Sequence, residues 1–196
     1  NLDLSDNSTL DKVRNLFYFA CWTALRPSDF TKLDQMNIEG DKLRLRQQKT
    51  SKNATNKEDL ILPIHKYLQK IINKVGGVPQ TISAKHMNEH LPILGKLIGM
   101  TDKLTIIRQT IMGEQSQSQF SRYEKLTCRC ARKTFATNRE ALGLSIQEAM
   151  HFTGHKTESA FLHYVMEDEE ARIETIREKL NKVDTTANST IHNQEK

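Results

Sequence analysis

From Leu10 to Leu25 the apolar residues fall at Leu10, Val13, Leu16, Phe17, Ala20, Cys21, Ala24 and Leu25. That is the 3.6-residue period of an amphipathic helix about four turns long, and its apolar stripe must be covered by other elements. Asp6, Asn7 or Ser8 can cap its start. Arg26-Pro27 ends it, because a residue before proline avoids the α region. A new helical turn is expected from Pro27-Ser28-Asp29, covering Phe30 to Leu33. Arg26 therefore falls at a helix junction, directly after a buried face.

The remaining pattern is short helices separated by small β elements. Residues 41–46 alternate charged and apolar side chains, and Leu60–Ile64 is a short apolar run; both read as strands. The polar link between them, 47–59, reads as an exposed hairpin loop with Lys49 where strand gives way to turn. Pro63 is expected to open a helix carrying Ile64, Leu68, Ile71 and Ile72, stopped by Gly76-Gly77. His86–Met100 reads as another helix. Leu104–Ile111 has β-branched character, Gly113–Ser121 reads as a polar linker, and Arg122–Thr127 as a returning strand. Ala131–Ala141 is expected to be a helix ended by Gly143. Ser145 caps a short helix, 146–152, with Glu148 completing a capping box. Thr153-Gly154-His155 makes a turn, and a further helix runs from Thr157 or Glu158 through Tyr164. Residues 168–183 form a charged amphipathic helix with Ile173, Ile176 and Leu180 on one side, and 185–196 read as disordered. The fold class expected is mainly α with small antiparallel β-hairpins.

Charge narrows the function. The net charge is +5 and the sequence pI about 9.1, which favours a polyanionic partner. The cations are unevenly spread. Residues 41–57 hold Lys42, Arg44, Arg46, Lys49, Lys52 and Lys57 against Asp41 alone, and 122–139 hold six cations against Glu124 alone. Acidic residues gather instead at 167–174. Cys21, Cys128 and Cys130 do not look like a disulfide framework, and a C-x-C pair without a second pair is a poor zinc motif. A reducing cytoplasm is the simplest setting. No apolar run reaches the ~20 residues of a membrane span, and no signal peptide is visible. The chain begins at Asn1, not Met, and reads as a piece of a longer protein.

Five motifs stand in a fixed order: Ala24-Leu25-Arg26-Pro27-Ser28-Asp29; Lys49 at the hairpin; Cys130-Ala131-Arg132-Lys133-Thr134-Phe135-Ala136-Thr137; Thr153-Gly154-His155; and Tyr164, nine residues beyond His155. In this order and spacing the chain, over roughly 8–183, resembles the catalytic domain of tyrosine recombinases, the integrase family of phages and conjugative or mobilisable elements. The resemblance implies that Tyr164 is the nucleophile, that Arg26, Arg132 and His155 contact the scissile phosphate, and that Lys49 is the general acid. One departure is definite. The family usually carries His, sometimes Lys, three positions before the second arginine, and this chain has Arg129, which holds its proton and is a poor base.

The chemistry of these residue types agrees with that role. A phenol can form a 3′-phosphotyrosyl ester that conserves bond energy for rejoining. Arg26 and Arg132 can offer paired N–H donors to the non-bridging oxygens. Neither a metal nor another cofactor is required, and these motifs hold no acidic cluster suited to Mg²⁺. Lys42, Arg44, Arg46, Lys52 and Lys133 are candidates for DNA phosphates. The blander readings stand beside these. Tyr164 among Phe161, Leu162 and Val165 is also a pattern for a core tyrosine, and His155 for a turn cap. Tyr18 and Trp22 read as packing residues, Tyr67 and Tyr123 lack the Gly-His context, and His65, His86, His90, His151 and His163 read as surface or core side chains.

The expectation is therefore a catalytic domain over 1–183 and a polar tail over 184–196, in a bacterial cytoplasmic protein that cleaves and rejoins double-stranded DNA as a homotetramer. The resemblance further implies a preceding core-binding domain outside this chain, and a helix after Tyr164 that packs on a neighbouring protomer. A DNA-binding relative with impaired catalysis and a type IB topoisomerase-like enzyme are the rivals.

Overall fold

The structure is a computed structural model that describes residues 2–46, 59–109 and 115–165, together with Ile173, Glu174 and Arg177; the side chains at 30–32, 35, 46 and 108 are not described. The chain divides into two compact units, Asn1–Tyr164 and Val165–Lys196. The loop with Lys49 and Lys52, most of the helix expected at 168–183, and the tail lie outside the described residues.

The long amphipathic helix is α1, Ser8–Thr23, around which the first unit is built. Asn7 caps it, its side-chain oxygen accepting from the Leu10 N–H at 3.0 Å. Val13, Leu16, Phe19 and Ala20 are wholly buried, against α2 (Lys66–Val75), α3 (Ala84–Leu97) and α4 (Cys128–Thr137). Burial of this stripe is what holds a helix of such length, since isolated helices of about 12–15 residues are marginal in water. Ala24 closes α1 in the left-handed region at φ 53°, where a residue with a Cβ costs about 1–2 kcal/mol. The next segment, Pro27–Gln35, is a 3₁₀ helix with proline at its first position, where the missing N–H has no partner to lose.

β1 (Asn37–Glu39), β2 (Lys42–Arg46) and β3 (Asp59–Pro63) form an antiparallel sheet in the order β1-β2-β3. Its register sets Leu43 opposite Leu62 and Leu45 opposite Leu60. All four leucines are buried, so one face of the sheet is a leucine layer and the other carries Lys42 and Arg44. Pro63 is a correction to the sequence reading: it ends β3, paired with Lys42, rather than opening a helix. β3 is an edge strand, where the absence of an N–H does no harm. The helix starts later, at Lys66, and stops at Gly76 with φ 73°.

β4 (Lys103–Gln109) and β5 (Gln115–Ser121) make a second antiparallel pair. The returning strand therefore lies in the Gln/Ser segment read as a linker, and Arg122–Lys125 is a 3₁₀ turn, not a strand. From Gln115 to Gln119 every residue is exposed, so no alternation of apolar residues marks the strand. At Gly95 of α3 a Cβ would stand 2.9 Å from the Tyr123 Cβ, so the missing side chain lets the turn pack closely on the helix. α5 (Ile146–Thr153) and α6 (Glu158–Leu162) complete the first unit. Ser145 and Glu148 form the expected capping box, and α6 stops before Tyr164. Among the described residues no helix is long and apolar enough to cross a membrane.

Candidate active site

Four side chains distant in sequence meet at the ends of α1, α5 and α6. Arg132 is the centre. Ala131, Phe135 and Ala136 seat α4 against the core, and Arg132 follows them inward to 2% exposure. Its Nη1 donates to the Ala24 carbonyl at 2.8 Å, and its Nη2 donates to the Thr153 carbonyl. The guanidinium thus ties the end of α1 to the end of α5. The left-handed turn at Ala24 supplies one of its two carbonyl partners. Nε is buried and has no hydrogen-bond partner among the described residues. Burial and the neighbouring Arg26 pull the Arg132 pKa down to about 10, against the opposing influence of Tyr164 and Asp29. It remains a cation at neutral pH.

Arg26 is held from its backbone. Its N–H donates to the Asp29 carboxylate at 3.2 Å, and its carbonyl accepts from the Asp29 N–H at 2.8 Å. Asp29 is itself buried. The Arg26 side chain is half-buried and reaches the Gly154 carbonyl at 3.5 Å, so it shares with Arg132 the turn that follows α5.

His155 sits in that turn in a defined tautomer. Arg132 Nη2 lies 3.3 Å from its Nε2. A guanidinium only donates, so Nε2 accepts and the ring proton is on Nδ1. Nδ1–H in turn reaches the Thr153 hydroxyl at 2.9 Å, and that hydroxyl donates to the Ala149 carbonyl at 3.1 Å. Burial first, then Arg132 and Arg26, push the His155 pKa down to about 4. The imidazole is therefore neutral near pH 7. In this state its Nε2 is an acceptor and its Nδ1–H a donor.

Tyr164 follows α6 and is half-buried, its N–H donating to the Phe161 carbonyl at 2.9 Å. Fully buried Phe161 anchors the helix. The Tyr164 ring centroid lies 4.9 Å from that of His155, and the Arg132 Cζ stands 5.3 Å from it. Two guanidiniums, a neutral imidazole and a phenol thus gather around one turn, which suits an oxyanion bound beside an oxygen nucleophile.

The other named residues lie differently. Arg129, in the first turn of α4, is exposed and has no hydrogen bond or ion pair among the described residues; Lys133 is likewise exposed. Lys42 points from the open face of β2. Arg44 is engaged there by Glu39 at 3.0 Å and Asp59 at 3.3 Å. Lys49, Lys52 and the Arg46 side chain are outside the described residues. The sequence reading passed over three supports: Thr153, which sets the His155 tautomer; Asn88 of α3, whose side chain accepts the first amide of α4 from Cys128 at 2.8 Å; and His151, whose Nε2 lies 2.8 Å from the Ile61 carbonyl and joins α5 to β3. Thr153 alone had a signal, two residues before His155 in a quoted motif.

The helix-rich body, its small antiparallel sheets and this order of elements make the tyrosine recombinase catalytic-domain fold. Three solved structures show the likeness. The Tn1549 transposon integrase (residues 82–397) in complex with circular intermediate DNA has a TM-score of 0.50 and 14% identity, covering 90% of this chain and 66% of its own. A Tyr-to-Phe variant of that integrase with transposon right-end DNA has a TM-score of 0.52 and 12% identity, covering 92% and 65%. XerA recombinase has a TM-score of 0.55 and 14% identity, covering 86% and 63%. The chain thus spans just under two thirds of the length of the structures it matches. No protein-family model and no curated protein sequence matches it.

Proposed function

We propose that this chain is the catalytic domain of a site-specific DNA recombinase or integrase that breaks and rejoins strands through Tyr164. The observation that carries this reading is the convergence of Arg26, Arg132, His155 and Tyr164 around one turn, on a fold shared with an integrase solved on DNA. In the first step the Tyr164 oxygen attacks a DNA phosphorus in line. The bond to the 5′-oxygen breaks, and a 3′-phosphotyrosyl ester and a free 5′-hydroxyl result. Arg26 and Arg132 hold the non-bridging oxygens as charge builds on them, where one lost donor typically costs about 100-fold or more in rate. Lys49 gives its proton to the departing 5′-oxygen. The reverse step, with a 5′-hydroxyl from another strand, completes transfer. This route uses the positive charge of side chains, with no metal in the step.

The Tyr164 proton needs an acceptor, and Arg129 is a poor one. His155 suits that task better, because its tautomer leaves Nε2 unprotonated on a ring whose centroid lies 4.9 Å from that of the phenol. When phosphate draws the Arg132 N–H donors to itself, Nε2 is released to take the proton. Around the site, Lys42, Arg44, Arg46, Lys52, Lys133 and Arg129 supply phosphate contacts along the duplex. The working form is a homotetramer on two DNA sites in a bacterial cytoplasm, with a DNA-clamping domain preceding residue 1. The catalytic domain extends to about residue 183, so that the Ile173 side of the following helix meets a neighbouring protomer; Ile173 is 52% exposed.

A suicide DNA substrate tests the reading. The longer protein on its own recognition site is expected to yield a covalent protein–DNA adduct that Tyr164→Phe abolishes. An adduct that survives this substitution overturns the assignment. No adduct alongside retained binding favours the impaired DNA-binding relative.

A further inference from the structure

We propose that His86, Glu89 and His90 form a binding site for a transition-metal dication of the zinc type on α3. The inference stands apart from the recombinase reading. Positions i, i+3 and i+4 lie on one helix face, and one ligand atom from each of the three residues lies within 4.8 Å of the other two. The two imidazole centroids are 4.3 Å apart, and His86 Nδ1 is 4.0 Å from the Glu89 carboxylate.

A second, separate observation points to a metal. His90 Nδ1 lies 2.9 Å from the carbonyl oxygen of His86. A carbonyl only accepts, so Nδ1 carries the proton and Nε2 keeps its lone pair. A carbonyl bond that fixes the ring and its tautomer in this way is what zinc-ligating histidines use. Two imidazoles and one carboxylate are a zinc donor set, with water in the fourth position, whereas Mg²⁺ and Ca²⁺ prefer oxygen ligands throughout. Metal–ligand bonds near 2.0–2.1 Å need tetrahedral donors about 3.4 Å apart. The side chains therefore close by about 1 Å on binding; none of the three is buried, and His86 and Glu89 can turn towards the His90 ring that its carbonyl bond already orients.

The site has a place in the fold. Ser83 caps α3 by accepting from the His86 N–H at 3.2 Å. Asn88, between the two histidines, accepts the first amide of α4. A dication joining His86 to His90 ties together the turn that holds the cap of the Arg132 helix.

The test is isothermal titration of the purified chain with ZnCl₂, together with thermal melts at rising zinc concentration. One zinc per chain is expected, with a melting temperature that climbs with zinc as mass action requires. His86→Ala and His90→Ala are each expected to weaken binding by about tenfold or more, and MgCl₂ to produce no shift. Both substitutions fall on solvent-accessible helix positions where alanine is a good helix former, and circular dichroism checks that the fold persists. The proposal is overturned if the wild-type chain takes up no zinc, if the double variant His86→Ala/His90→Ala binds zinc as the wild type does, or if magnesium stabilises equally.

Discussion

The molecule has two basic regions, and they differ in burial. On β2 the cations stand on the open face of a leucine-backed sheet: Lys42 is exposed, and Arg44 shares its charge with Glu39 and Asp59. At the ends of α1, α5 and α6 the cations are drawn inward, with Arg132 2% exposed and bonded to two backbone carbonyls. A guanidinium in water is screened and replaceable, and exposed ion pairs contribute about 0–1 kcal/mol. A desolvated one is fixed in direction, shifts the titration of its neighbours and leaves unmet donors if anything is misplaced. Similar residue types thus yield an adjustable electrostatic surface in one place and an oriented site in the other.

Substitutions break this contrast in a graded way. Arg132→Ala is expected to have the largest effect. It leaves the buried Ala24 and Thr153 carbonyls without their donor, lowering stability by about 2–4 kcal/mol in urea denaturation, and cleavage in the adduct assay falls by at least about 100-fold. Arg26→Ala separates chemistry from folding. Its side chain is half-buried with one long bond to Gly154, so cleavage falls by about 100-fold while the urea midpoint barely moves.

His155 gives a pH signature. Its folded pKa of about 4 lies below the ordinary 6.5. Below pH 6.5 the unfolded chain takes up a proton that the folded chain refuses, so stability is full above that value and declines as the pH falls towards 4. Thermal melts across this window are expected to show the decline, and His155→Gln to flatten it. The smallest effect belongs to the outer region. Arg44→Ala changes stability by less than about 1 kcal/mol, and if it meets DNA phosphate it lowers the salt slope of binding by about 0.9. A larger stability loss than that of Arg26→Ala would erase the distinction between the two regions.

The two regions were also unequally legible in the sequence. The apolar period of α1, the Ser145–Glu148 box and the alternation in β2 each express one dominant local preference, and the structure follows them. β5 was hidden because its first five residues, Gln115 to Gln119, are all exposed, and strand pairing alone leaves no mark in hydropathy. Pro63 misled because its helix-starting role and its tolerance on an edge strand read alike. The motifs pointed to Arg26, Arg132, His155 and Tyr164, and the fold brings all four together. Their protonation states were not legible, because the low pKa of His155 depends first on its burial in the fold and then on Arg132 and Arg26, respectively 23 and 129 residues away in sequence. Lys49 is a different case: the position named for it lies outside the described residues.

One packing detail offers an optical handle. Trp22, the chain's single tryptophan, stacks on Tyr67 with centroids 4.4 Å apart and planes 9° from parallel. It borders a cavity of about 470 Å³ that Phe135, Leu144 and Phe152 also line. All indole emission therefore originates at the joint of α1 with α2, two residues before the turn whose carbonyl holds Arg132. Quenching and spectral position become a site-specific gauge of that joint, readable without any attached label.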